Sequence, residues 1–195
     1  MIFAMLEISN VMNLLRLFIL MAGIGQIVLP SRAEVIIPLS IESLSTNAQL
    51  IVRGTVLSTT VLRDPEGRIY TRVDLAIAEI WKGLLATNRF TVVHGGGVLG
   101  EERSEVSGQA SYEVGEEVVT FLQLNSRGEG VSIGLAQGKF QVWKDPVTGE
   151  SLAQNRFHGR QSLPTGPIAG ASPAHPIIPR LTVQDLRQRV DGGAR

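Results

Sequence analysis

The chain has 195 residues, of which 44% are hydrophobic, 18% charged and 5% aromatic, and its 18 basic and 18 acidic side chains cancel. An ordinary apolar fraction with low charge excludes a disordered chain. With no cysteine, a disulfide framework and thiolate chemistry are excluded, and a balanced charge gives no drive for binding a nucleic-acid backbone.

The amino terminus reads as an export signal. Residues 17–29 (LFILMAGIGQIVL) form an apolar run interrupted only by Gln26, preceded by Arg16 and followed by Ser31-Arg32-Ala33. A positive start, a short apolar stretch and small residues at the −3 and −1 positions are what signal peptidase requires. Residues 1–33 are therefore expected to be a signal peptide cut after Ala33, giving a secreted or periplasmic chain with no stable membrane span. A retained anchor would need about 20 apolar residues. Glu7 is unusual in such a leader, and Met12 gives a tidier start than Met1. Secretion without cysteine favours a bacterial setting.

Residues 34–157 are expected to form one domain. Residues 40–48 read as a short helix capped by Ser40, with Ile41, Leu44 and Ala48 on one face. Residues 49–57 are rich in β-branched side chains and interrupted by Gly54, which marks a bend or bulge in a strand. A turn at 63–68 leads into a half-buried strand over 69–81, in which Val73, Leu75 and Ile77 alternate with Asp74, Ala76 and Ala78. Residues 89–94 form the next strand, and 95–108 a glycine-rich, then charged, loop. Residues 117–124 (EVVTFLQL) are apolar on both faces, so a central strand is expected. Residues 131–135 and 139–144 follow as strands, with 151–157 pairing back across the turn at 145–149. Glu113, Glu116 and Glu117 surround Gly115 in what reads as a solvated turn.

Residues 158–180 carry Pro164, Pro167, Pro173, Pro176 and Pro179 and read as a linker. In 181–195, Thr182 caps a final helix with Asp185 three residues on, and Val183, Leu186 and Val190 share a face for docking. Short strands separated by turns favour a mainly β fold, a small antiparallel OB-like barrel, over alternating β-α units.

Several motifs compete for a function. His94-Gly95-Gly96-Gly97 and Gly130-Val131-Ser132-Ile133-Gly134 match the oxyanion loop and nucleophile elbow of serine hydrolases. That reading makes Ser132 the nucleophile and a later histidine, His158, its base. The elbow requires a strand running into a helix, and residues 133–140 carry no helical apolar face. Gly95 to Gly100 also satisfies G-x-G-x-x-G, but Glu101 and Glu102 put negative charge where a diphosphate would lie. The three histidines lack the spacing of a zinc site. No cofactor or metal is expected. Trp81, Phe140 and Trp143, beside Lys82, Lys139 and Lys144, are either a stacking surface or core plugs.

Residues 48–56 (AQLIVRGTV) resemble the opening strand of the netrin/tissue-inhibitor-of-metalloproteinase type of OB-fold domain. Residues 73–83 (VDLAIAEIWKG) resemble its next long strand, closing on lysine-glycine. Residues 112–122 (YEVGEEVVTFL) and 138–142 (GKFQV) are similar to later strands of related secreted bacterial proteins. The resemblance covers about residues 41–143 and implies an OB fold and a secreted setting. The inhibitors act through an amino-terminal cysteine, absent here, so no inhibitory residue carries over.

The expected function is a non-catalytic binding module for a protein or peptide partner, a secreted or cell-surface protein such as a protease. Its candidate contact residues are Gly95, Gly96, Gly97, Glu101, Glu102, Trp81 and Trp143, together with the carboxy tail. The alternatives are the serine hydrolase and an oligosaccharide-binding barrel around Trp81 and Trp143.

Overall fold

The computed structural model describes residues 37–159 and 180–193. The expected signal peptide and most of the proline-rich linker fall outside them. The fold is mainly β: a seven-stranded sheet, a separate two-stranded hairpin and two helices. The strands are β1 (Leu50–Arg63), β2 (Ile69–Lys82), β3 (Arg89–Gly95), β4 (Gly97–Leu99), β5 (Glu102–Ser104), β6 (Glu117–Leu124), β7 (Gly130–Ser132), β8 (Lys139–Lys144) and β9 (Ser151–Gln154). The helices are α1 (Ile41–Asn47) and α2 (Val183–Gly193).

The sheet order is β1-β2-β3-β7-β6-β8-β9, and β6 also pairs with β1. Pairing thus passes from β1 through β2, β3, β7 and β6 and returns to β1 as a partial ring. The ring is narrow at one seam, where β3 and β7 run parallel and share only the register pair Val92–Gly130. All other pairings are antiparallel.

Alternation along β1 and β6 divides the apolar residues between two cores. Leu50, Val52 and Val56 of β1 and Val118 and Leu122 of β6 point inside the ring, where they meet Val73, Leu75, Val92 and Tyr112. Ile51 of β1 and Val119 and Phe121 of β6 point outward to Ile41 and Leu44 of α1 and Val183, Leu186 and Val190 of α2. β6 is therefore buried on both faces, as its sequence requires. Each fully buried aliphatic side chain contributes about 1.5–3 kcal/mol, so the outer core fastens both helices to the sheet.

The caps follow the expected chemistry. Ser40 Oγ accepts from the Ser43 amide at 3.1 Å. Thr182 Oγ1 accepts from the Asp185 amide at 3.0 Å, and Asp185 Oδ2 accepts from the Thr182 amide at 3.3 Å, a reciprocal capping box. The bulge at Gly54 is real: the β1–β2 register shifts between Arg53 and Gly54. A Cβ there would lie 2.4 Å from the Ala76 carbonyl oxygen, so only glycine permits this approach.

Three local expectations are corrected. β1 runs on to Arg63, six residues past Leu57, pairing with the start of β2 as a twisted ribbon. Residues 95–108 are not a plain loop, because β4 and β5 form a hairpin there with Val98 opposite Arg103. Gly97, at φ +140°, faces Val61 and Thr71 at distances no Cβ tolerates, and buried Thr71 Oγ1 donates to the Gly96 carbonyl at 2.7 Å. The strand expected over 131–135 stops at Ser132. Gly134 and Leu135 both take left-handed φ, and a 3-10 turn follows over Leu135–Gly138.

Candidate functional site

A groove of about 480 Å³ opens beside the seven-stranded sheet, lined by Gln109, Ala110, Ser111, Ala136, Lys139, Gln141, Gln154, Asn155 and Arg156. β8 and β9 supply one wall. Gln141 and Gln154 are directly opposite in register and present their amides on the face turned away from the helices. Residues 108–112 cross as the second wall, held by the Ala136 amide donating to the Gly108 carbonyl at 2.9 Å.

The base of the groove is built from buried polar groups. Lys139 Nζ donates to Glu116 Oε1 and, at 2.7 Å, to the Ser111 carbonyl, with the two ionic side chains only 12% and 8% exposed. The ammonium also lies 5.1 Å from the centre of the Tyr112 ring, a cation–π arrangement. Tyr112 stacks on His94 and approaches Thr120 Oγ1 at 3.3 Å. Burial pushes its phenol up to about 12, against the opposing pull of its Thr120 contact. The expected solvated turn holds at Glu113, which is exposed, and is corrected for Glu116 and Glu117. Glu116 is buried against Lys139, and Glu117 binds Arg53 at 2.7 Å.

The rim is unengaged. Among the described residues the side chains of Gln109, Ser111, Gln141 and Gln154 make no hydrogen bond, and Arg156 is exposed without a carboxylate partner. Asn155 is committed: its Nδ2 donates to the Gln137 carbonyl at 2.6 Å, and its Oδ1 accepts from the Phe157 and His158 amides. Asn155 thereby fixes the turn that presents Arg156.

The sequence-selected residues fall at separate places. Ser132 ends β7, 6% exposed, and its Oγ has no hydrogen-bond partner. It lies near the Tyr112 hydroxyl, without bonding geometry, and acts against the rise that burial causes in the phenol's pKa. His158 is turned elsewhere. Its Nε2 meets the Leu39 carbonyl at 2.8 Å and its ring stacks on Phe140. His94 Nδ1 lies 3.0 Å from the Gly95 carbonyl. Among the described residues, no histidine nitrogen thus reaches the Ser132 hydroxyl.

Gly95 ends β3, Gly96 is buried and Gly97 begins the β4–β5 hairpin, while Glu101 and Glu102 are exposed at its tip, Glu102 pairing with Arg63 at 2.8 Å. Trp81 lies in a second cleft of about 410 Å³ under α2. Its Nε1 donates to Glu79 Oε2 at 2.9 Å, and Arg187 stands 5.9 Å from its ring centre. Glu79 also binds Arg53 and Arg187. The Trp81 hydrogen bond, then the arginines, hold its carboxyl below the usual range. Trp81 thus seats the carboxy-terminal helix. Trp143 is partly exposed on β8, two residues from Gln141 and on the same face. Among the described residues no group of three His, Asp or Glu is placed to hold a metal, and no helix is long and apolar enough to cross a membrane.

Sequence reasoning picked out Trp143 and Lys139 but missed Gln109, Gln141, Gln154 and Arg156. Amides carry no motif, and these positions join only through the β8–β9 register and the 108–112 crossing. Compared with known proteins, the sequence matches no family model and no curated protein.

Proposed function

We propose that this chain is an exported, non-catalytic binding module on an OB-like barrel, with the Gln109–Arg156 groove as its ligand site. The cyclic pairing of β1, β2, β3, β7 and β6, partly open at one seam, supports the OB-like reading. The observation that carries the function is the contrast between base and rim. The base of the groove is a satisfied ion pair, whereas the rim holds a free guanidinium and three free side-chain amides. A few convergent polar groups above a rigid base describe a recognition site. Ser132, buried and with neither described histidine turned to its hydroxyl, supports binding over hydrolysis.

Arrays of oligosaccharides and of peptides, probed with the full chain, test this reading. The expected result is a ligand that is retained unchanged and released by Arg156→Ala with Gln141→Ala. A ligand whose retention ignores both substitutions would contradict it.

A protein partner is the second reading, favoured by β2. Its pairing with β3 ends at Ala76, yet it continues along β1 to Lys82. Beyond Ile77, whose amide donates to the Asn88 carbonyl at 2.7 Å, this side of the extension borders a hollow lined by Ile77, Ala78, Ile80 and Leu85, with Ile80 and Leu84 exposed. An unpaired edge beside apolar side chains can accept an added strand. Loss of a protein partner on Ile80→Asp with Leu84→Asp, and not on Arg156→Ala, would select it.

A further inference from the structure

We infer that the groove binds an acidic oligosaccharide: a sugar carboxylate on Arg156, sugar hydroxyls on the amides of Gln109, Gln141 and Gln154, and a sugar face against Trp143. This inference rests on the binding-module reading and names its ligand class.

Charge comes first. Lys139 is neutralised by Glu116, so Arg156 is the one uncompensated charge among the described lining residues. A single guanidinium suits a carboxylate, which it grips with two parallel N–H donors. A polyphosphate would call for more positive charge than the groove offers.

The remaining lining selects sugar over peptide. Its apolar members are only Ala110 and Ala136, so no pocket exists for a large apolar side chain. On the β8–β9 wall, main-chain recognition is also closed off. β8 is paired on one side with β6 and on the other with β9. The outer side of β9 is covered where the Ala153 amide donates to the Leu181 carbonyl at 2.9 Å and Leu152 bridges Thr182. A ligand here meets side chains on a sheet face. Each amide offers a donor and an acceptor in one plane, which matches a pair of neighbouring hydroxyls. Trp143 continues that face beyond Gln141, opposite buried Leu152. An indole there offers a flat apolar surface to the C–H face of a sugar ring.

Calorimetry on the full chain tests the assignment with three probes: a short oligouronate, the same sugar with its carboxyls reduced to alcohols, and a glutamate-rich peptide. The oligouronate should bind, and Arg156→Ala should weaken it roughly tenfold or more, as expected for a hydrogen bond to a charged group. Carboxyl reduction should cost a similar factor in the native chain and almost nothing in Arg156→Ala. Gln141→Ala should weaken both sugars, and neither exposed substitution should move the melting temperature. Oligouronate affinity indifferent to Arg156→Ala, or no binding at millimolar sugar, would overturn the assignment. If the peptide alone bound in an Arg156-dependent way, the sugar assignment would fall and the binding-module reading would stand. No Arg156-dependent ligand in any arm would overturn both.

Discussion

Glu42 on α1 and Arg189 on α2 form a two-point ion pair, Nε to Oε1 at 2.7 Å and Nη2 to Oε2 at 3.2 Å. The contact joins positions 147 residues apart and closes the two helices over the outer core. It also gives the fold a defined acid response. The Arg189 hydrogen bond is the largest cause that takes the Glu42 carboxyl from 4.5 down to about 2. A depressed carboxylate stabilises the folded state above its unfolded pKa and loses that contribution as pH falls through the folded value. Stability from this pair should therefore be complete above about pH 4.5 and gone near pH 2. Both side chains are nearly half exposed, so the expected size is below about 1 kcal/mol at neutral pH. Urea unfolding of the native chain and Glu42→Gln at a series of pH values checks this. The two should converge toward pH 2.

Gly54→Ala tests the bulge. Its Cβ would meet backbone, the Ala76 carbonyl at 2.4 Å, rather than a movable side chain. The expected loss is ~3 kcal/mol or more, at the upper end of single substitutions. Gly67→Ala is the comparison: its φ is +84° but the space around it is empty, so about 1 kcal/mol is expected. Equal costs would mean that β1 and β2 do not approach as described.

The contrast between these two glycines bears on what the sequence made legible. Gly54 interrupts a β-branched run, so its role could be inferred without coordinates. EVVTFLQL declared a doubly buried strand, and Thr182 with Asp185 declared a helix start. The β4–β5 hairpin was hidden because Gly96-Gly97-Val98-Leu99 has no alternation. Its position comes from glycine backbone fitting against Val61 and Thr71, a tertiary effect. Ser132 looked catalytic as a string and is a buried strand end in space. The groove was the least legible feature, because its walls come from residues 109–111, 139–141 and 154–156, which no local pattern connects.

Glu116→Gln should be the most damaging surface-adjacent change. It leaves the Lys139 ammonium, 12% exposed, without its carboxylate. Removing one partner of a buried pair costs about 3 kcal/mol. Replacing both, as Glu116→Leu with Lys139→Met, should recover much of that loss. Thermal unfolding of the single and double variants checks both statements.

Ser132→Ala should leave stability unchanged or raise it by up to about 1 kcal/mol, because a buried hydroxyl without a partner carries an uncompensated desolvation cost. The native chain should resist a fluorophosphonate probe. Labelling that Ser132→Ala abolishes would establish the hydrolase instead.

The groove as ligand site is the central claim, and side-chain amide NMR tests it most directly. During titration with a short oligouronate, the NH2 resonances of Gln109, Gln141 and Gln154 and the Arg156 Nε–H should shift together with one saturation curve. The Asn155 NH2, bonded to the Gln137 carbonyl, and the amides of Val98 to Arg103 should stay in place. Shifts confined to the hairpin or to Ile80 and Leu84, with the three glutamine amides unmoved at saturation, would contradict the account.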